Sequence, residues 1–151
     1  MTRILMVCLG NICRSPLAHG IMQSKLPEDL FYLDSAGTAA YHIGNAPDKR
    51  SIAVAQQNGL DISGQSARQF KVTDFDAFDI IYAMDQSNYS NIISLARHTD
   101  DKKKVKLFLE ANSSVENKNM PDPYYGEQDG FKYVFKLIEE TCDILVKELI
   151  H

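Results

Sequence analysis

Six consecutive apolar residues, Ile4 to Leu9, stand near the start of the sequence and stop abruptly at Gly10-Asn11. A strand that is apolar at every position, rather than at every second one, has to be covered on both faces. The stretch "RILMVCL" over 3–9 therefore reads as the central strand of a parallel sheet. It is too short for the apolar part of a signal peptide, and no run approaches the roughly 18 residues a membrane span needs. Ser15-Pro16 follows within a few residues, with the signature of an N-cap and a proline at the first helical position. A helix is expected from there to about Lys25.

The same strand-then-helix alternation continues. "FYLDSAG" (31–37) reads as a second strand, and Pro47-Asp48 as the start of a helix running through Ile52, Val54 and Ala55 to a stop at Asn58-Gly59. "FDIIYAM" (78–84) is a third strand, "QSNYSNIISLARH" (86–98) a helix, and "KVKLFL" (104–109) a fourth strand. Phe131, Val134, Phe135, Ile138, Cys142, Leu145, Val146 and Leu149 recur at three- and four-residue spacings. They predict a last helix from about Gln128 to Ile150. Such alternation implies an α/β fold, a parallel twisted sheet with helices on both faces. Over 1–151 the chain shows no repeat or linker and is long enough for the core of a single domain. In this architecture ligands bind at the carboxyl ends of the strands, where the Cys8–Ser15 turn, "DSAG" and "AMDQSN" all fall.

The turn after the first strand carries the chemistry. Six backbone amides, those of Leu9, Gly10, Asn11, Ile12, Cys13 and Arg14, lie between a strand end and a helix N-terminus. Curled inwards, they form a nest of donors reinforced by the positive end of the helix. Gly10 and Asn11 are the residues suited to the left-handed backbone angles of such a curl. Arg14 offers a planar fork to two phosphate oxygens. Cys8 lies at the floor, where amides, helix end and Arg14 would stabilise a thiolate, a nucleophile aimed at phosphorus. Ser15 can donate its hydroxyl to that sulfur or cap the helix, and the two roles are compatible. Cys13 faces two readings as well. A curled loop could bring it within disulfide reach of Cys8, about 5.5–6 Å between α-carbons, as a resolving thiol. It could equally be a small buried thiol that fills space.

A leaving alkoxide or phenoxide needs a proton, and Asp122 in "MPDPYYG" is the candidate donor. Prolines on both sides stiffen the loop that carries it. Alone the segment would read as a polar turn; beside the Cys-x5-Arg loop the carboxyl reads as the acid. Tyr124 and Tyr125 offer aromatic walls for a flat ring. Cys142 reads as core, His19 as a surface or packing residue, and Asp34 and Asp85 as loop fasteners.

"VCLGNICRSP" together with "DPYYG" resembles the low-molecular-weight protein tyrosine phosphatases. "DSAGT" (34–38), "PDKRS" (47–51), "SARQF" (66–70) and "AMDQSN" (83–88) look like that family's intervening blocks, so the resemblance covers nearly the whole chain. It implies a four-stranded parallel sheet with the phosphate-binding loop after the first strand. It also implies hydrolysis of phosphotyrosine and aryl phosphates through a cysteinyl-phosphate, with no metal or cofactor. Carried over by residue, Cys8 is the nucleophile, Arg14 the phosphate clamp, and Asp122 the acid that then serves as base. Asn11 and Ser35 brace the loop beside Ser15, and Tyr41 and Tyr124 form opposite walls. Where some members have a histidine before the "ARQ" block, this chain has Gln65.

Composition excludes several alternatives. A formal net charge of −4, with 24% charged residues, does not suit a nucleic-acid binder. The basic cluster "DKKKVK" (101–106) reads as a solvated strand entrance. Three cysteines, an odd number, read as thiols of a reducing compartment, so a cytoplasmic location is expected. The expected partners are a phosphotyrosine-bearing protein, with inorganic phosphate or similar oxyanions as inhibitors, and no nucleic acid or membrane. A thiol-dependent arsenate reductase would need two further cysteines, and region 80–95 has none. A module that only captures phosphotyrosine would need neither a thiolate nor an acid.

Overall fold

The computed structural model describes residues 1–125 and 128–150, with the side chains of Tyr125 and Gln128 outside the described set. Four strands, β1 (Thr2–Cys8), β2 (Phe31–Gly37), β3 (Ile80–Ala83) and β4 (Val105–Leu107), pair in the order β2-β1-β3-β4. Every pairing is parallel, with Cys8 opposite Gly37 and Val7 opposite Ala83. The chain leaves β1 towards β2 on one side and runs from β3 to β4 on the other. The strand order therefore reverses between β1 and β3, and a crevice opens above their carboxyl ends.

Among the described residues six α-helices surround the sheet: α1 (Arg14–Lys25), α2 (Lys49–Gln57), α3 (Asp74–Ala77), α4 (Gln86–Ile93), α5 (Thr99–Lys103) and α6 (Gln128–Ile150). The unbroken apolar run of β1 is shared between two cores. Ile4, Met6 and Cys8 pack with Leu17, Ile21 and Met22 of α1 and with Phe131, Phe135 and Ile138 of α6. Leu5 and Val7 point the other way, against Phe75 of α3 and Ile92 of α4. Ile4 to Val7 have no accessible surface, and full burial of such side chains contributes about 1.5–3 kcal/mol each. The predicted bounds of α6 and β2 coincide with those observed, and α2 is capped by Asp48, whose side chain accepts from the Arg50 amide. Gly59 ends that helix at φ +79°, the left-handed stop expected of it.

Other expectations need correction. Helix α1 begins at Arg14 with Cys13 at its N-cap and no side-chain cap, so Ser15 and Pro16 lie in its first turn. Proline is tolerated there because those amides have no intrahelical acceptor anyway. β3 is shorter than 78–84: Phe78 is the C-cap of α3, and the strand ends at Ala83, although Met84 N still donates to Val7 O at 3.0 Å. α4 stops at Ile93 rather than His98. The basic cluster leads into β4 as expected, but by way of a short helix: Lys102 and Lys103 form the last turn of α5, where cations complement the helix dipole. β4 ends at Leu107, and Phe108–Ala111 turn into a 3₁₀ helix. No described helix is long and apolar enough to cross a membrane.

Candidate active site

The loop from Cys8 to Arg14 occupies the β1/β3 switch point. Its carbonyls are fastened from outside: Thr38 N donates to Cys8 O (2.9 Å), Ala39 N to Leu9 O (2.9 Å) and Asp48 N to Ile12 O (2.8 Å). The Ser51 hydroxyl donates to Cys13 O at 3.3 Å. With the carbonyls held on one side, none of the six amides from Leu9 to Arg14 donates to a protein acceptor among the described residues. Asn11 alone takes the left-handed angle, at φ 58°. Gly10 was expected to share that role and does not; its lack of a Cβ serves close approach, since a Cβ there would stand 3.0 Å from His42 Cδ2.

The Asn11 side chain ties the curl from behind. Its Nδ2 donates to Ser15 Oγ (2.8 Å), and its Oδ1 accepts from the Arg68 amide (3.0 Å). Ser15 Oγ, which accepts from Asn11, lies 3.0 Å from Cys8 Sγ and 3.5 Å from Ala36 O, and to a Cys8 thiolate it is the hydroxyl that donates. Ser15 is thus a sulfur partner and not a helix cap. Ser35 bonds His19 Nδ1 (3.3 Å) rather than a loop residue, and Gln65 Nε2 donates to Pro16 O (3.1 Å). Burial holds the His19 imidazole below its ordinary range, despite the opposing charge of Asp34.

Arg14 is 2% exposed. Its Nη1 donates to Asp85 Oδ2 (2.7 Å) and to Met120 O (3.0 Å), and its Nη2 lies 3.5 Å from Asp122 Oδ2. Among the described residues Nε is buried without a partner. Burial opposes the Arg14 charge, but Cys8, Asp85 and Asp122 outweigh it and push its pKa up. Asp85 does two jobs from the end of β3: it holds Arg14 and caps α4 through Asn88 N (2.8 Å). Met120, whose amide donates to Met84 O at 2.8 Å, ties the Asp122 segment to the same strand end. Tyr124 N donates to Asp122 Oδ1 at 3.0 Å, so a rigid turn between prolines aims the other oxygen at Arg14.

A small pocket opens over this floor, lined by Cys8, Leu9, Gly10, Ile12, Cys13, Arg14, Tyr41, His42, Asp122 and Tyr124. Cys8, Arg14, Asp122 and two of the three expected tyrosines are brought together; the Tyr125 side chain lies outside the described residues. The sequence reading missed His42, whose ring centroid is 6.0 Å from that of Tyr124 and 6.4 Å from that of Tyr41. It also missed Arg50, which forks onto Asp48, donates to Tyr124 O (3.0 Å) and lies over the Tyr124 and Phe131 rings. "PDKRS" offered a helix start at that place, but nothing local announces a contact 74 residues away.

Cys13 lines the pocket beside Cys8. Its thiol is pushed far up, first by burial and then by the negative charges of Asp48 and Cys8. All three cysteines are free, and Cys142 has no accessible surface in the α6 core. Asp34 fastens Arg68 at 3.1 Å, as a loop tie. Among the described residues, no group of three or more His, Cys, Asp or Glu side chains is arranged to hold a metal ion.

The site and fold can be set beside known proteins. A family model described as low molecular weight phosphotyrosine protein phosphatase matches residues 3–151. The chain is 42% identical over 134 residues to a low molecular weight phosphotyrosine protein phosphatase of Schizosaccharomyces pombe, covering 85% of each. It is 38% identical to the Dictyostelium discoideum protein of that description, covering 97% of this chain and 93% of the relative. A crystal structure of a protein tyrosine phosphatase from Entamoeba histolytica superposes with a TM-score of 0.92 at 33% identity, covering 99% of this chain and 97% of that one. A loop of unpaired amides around Cys8 at the switch point of a four-stranded parallel sheet, with these likenesses over nearly its whole length, makes this chain a member of the low molecular weight phosphotyrosine protein phosphatase family, a family of hydrolases.

Proposed function

We propose that the chain hydrolyses phosphotyrosine in proteins, and small aryl phosphates, with Cys8 as nucleophile, Arg14 as clamp and Asp122 as acid and base. The observation that carries this reading is the set of unclaimed donors around Cys8: six amides and the buried Arg14 Nε. A buried donor without a partner, as Arg14 Nε is among the described residues, is rare in native proteins and calls for an explanation. A phosphate dianion whose phosphorus lies over the sulfur supplies one.

In the first step the Cys8 thiolate attacks phosphorus in line. The S–P bond forms, the bond from phosphorus to the aryl oxygen breaks, and protonated Asp122 gives its proton to the departing phenoxide. Amides and Arg14 stabilise the charge on the equatorial oxygens, where preorganised donors act most strongly. In the second step Asp122, now a carboxylate, takes a proton from water as that water attacks phosphorus. The S–P bond breaks, and Cys8 leaves as a thiolate stabilised by the Ser15 hydroxyl at 3.0 Å. Loop amides hold the phosphate until it departs, so inorganic phosphate and similar oxyanions act as competitive inhibitors.

Substrate choice follows from depth and walls. Tyr41 and Tyr124 stand at the mouth, 74% and 39% exposed, placed to flank an aromatic ring. A phosphoserine, lacking that ring, leaves the walls unfilled. Free thiols throughout the chain support a reducing, cytoplasmic setting.

The test is turnover of an aryl phosphate and of matched phosphotyrosine and phosphoserine peptides, with chelator and no added metal. The reading expects hydrolysis of the first two and a large preference over phosphoserine. Activity that disappears on chelation and returns with metal would overturn it.

A further inference from the structure

His42 has no part in the two chemical steps above, yet it is built into the pocket wall with Cys8, Arg14 and Asp122. Its ring is wedged between the Cys8–Arg14 loop and the Asp122–Tyr124 turn. On one side Gly10 has given up a Cβ to admit it, with 3.0 Å from the Cβ position to His42 Cδ2. On the other it packs obliquely on Tyr124, at 6.0 Å between centroids and 47° between planes. Tyr41 meets its edge at 6.4 Å. A wall residue needs only a flat apolar face, and Phe or Tyr would supply that. Imidazole adds a charge that changes between about pH 5 and 8.

On the reading that this pocket takes a phosphate monoester, we propose that His42 is a specificity-determining residue whose imidazolium favours the dianionic phosphate. Substrate affinity then rises with falling pH, independently of the chemical steps.

The charges around the ring decide the sign. Its own segment contributes Tyr41, and the loop contributes Cys8 as a thiolate and the Arg14 guanidinium. The Asp122–Tyr124 turn contributes a carboxyl group and a phenol, and the start of α2 contributes Asp48 and Arg50. Asp48 is held below the usual carboxylate range against the cost of burial, by its bonds to Arg50 and in smaller part by attraction to His42. Two anions (Cys8, Asp48) face two cations (Arg14, Arg50) while Asp122 holds the proton it will donate, and a bound dianion adds two more negative charges. Binding of phosphate therefore favours the protonated ring. By linkage the protonated ring tightens phosphate binding by the same factor. Around a part-exposed mouth the expected gain is about two- to fivefold, the size of an exposed charge pair.

The experiment compares wild type with His42→Phe, which keeps the aromatic wall, and His42→Asn, which keeps a polar one. KM for an aryl phosphate and the inhibition constant of inorganic phosphate are measured from about pH 8 to about pH 5.5. Ionisation of the phosphate itself cancels in the ratio of variant to wild type. The ratio of KM values should climb about two- to fivefold as pH falls, for both variants, while the ratio of kcat values shows no trend with pH. In wild type the NMR titration midpoint of the His42 ring should move up when inorganic phosphate saturates the site. A KM ratio flat with pH, a pH trend confined to kcat, or a midpoint unmoved by phosphate would each overturn the proposal. If wild type shifts the midpoint but turns over no aryl phosphate, the catalytic reading fails while His42 still stands as a phosphate partner.

Discussion

Asp85→Asn is the substitution that most sharply separates holding Arg14 from merely containing it. Asp85 Oδ2 accepts from Arg14 Nη1 at 2.7 Å, and Oδ1 caps α4 at 2.8 Å. Asparagine is as good a helix cap as aspartate, so Oδ1 can keep Asn88 N. The amide nitrogen then faces Nη1 donor to donor. What is lost is a charge-assisted hydrogen bond, worth about 1.5–3 kcal/mol. The full cost of stranding a buried charge, about 3–5 kcal/mol, does not apply, because Met120 O and Asp122 still face the guanidinium. If the loss falls on the transition state, kcat/KM for an aryl phosphate drops about tenfold to about 150-fold, at about 1.4 kcal/mol per decade. Asp85→Ala removes the cap as well and should lower folding stability by about 1 kcal/mol more. Steady-state kinetics, with urea unfolding on the same samples, reads both quantities. An Asp85→Asn enzyme within twofold of wild type, or one that loses stability without losing kcat/KM, would show that Arg14 keeps its orientation without Asp85.

Asp122→Asn should slow turnover most for poor leaving groups, so a series of aryl and alkyl phosphates should fan out in rate; equal loss across the series would remove the carboxyl from the acid role. His19 is half-buried, and desolvation holds its pKa below the ordinary histidine value, so it stabilises the fold above about pH 6.5, and that contribution is lost as pH falls through its lower folded value. His19→Gln should accordingly flatten the loss of stability between about pH 7.5 and 5.5, and an unchanged slope in urea unfolding would refute this. Peroxide should convert the Cys8 thiolate to a sulfenic acid and hydroxide, after which Cys13 displaces water to form a disulfide that a dithiol reverses. The Cys13 thiol is pushed up partly by the Cys8 charge, and that cause disappears once Cys8 is a neutral sulfenic acid; recovery of Cys13→Ser equal to wild type would reduce Cys13 to packing.

Local signals carried much of the architecture into the sequence. The unbroken run Ile4–Leu9 announced a doubly covered strand, and the spacing in 128–150 announced one long helix, because in both cases burial has a period that can be counted. The loop was legible for a related reason: an inward curl between strand and helix needs a residue tolerant of positive φ, and Asn11 is that residue. What escaped was set by contacts distant in sequence. The helix after the loop starts earlier than its Ser-Pro pair suggested, since Ser15 is claimed by a sulfur seven residues back. Asp85 looked like a cap and is one; its second oxygen meets Arg14 across 71 residues. His42 and Met120 carry no motif at all, and their places follow from the packing of Gly10 and from a main-chain bond to Met84. The short helices α3 and α5 have too few turns to show a period.

The central claim is that phosphate passes through sulfur, and the direct measurement is to catch it there. Wild-type protein mixed with an excess of aryl phosphate is quenched within the first turnover under denaturing, alkaline conditions, digested and mapped by mass spectrometry. One phosphoryl group should be found on the peptide holding Cys8 and Arg14, at the sulfur of Cys8. A Cys8→Ser protein should carry none and release no phenol, while still binding inorganic phosphate through the loop amides and Arg14. Phosphate on another residue, or phenol release by Cys8→Ser at the wild-type rate, would contradict the account.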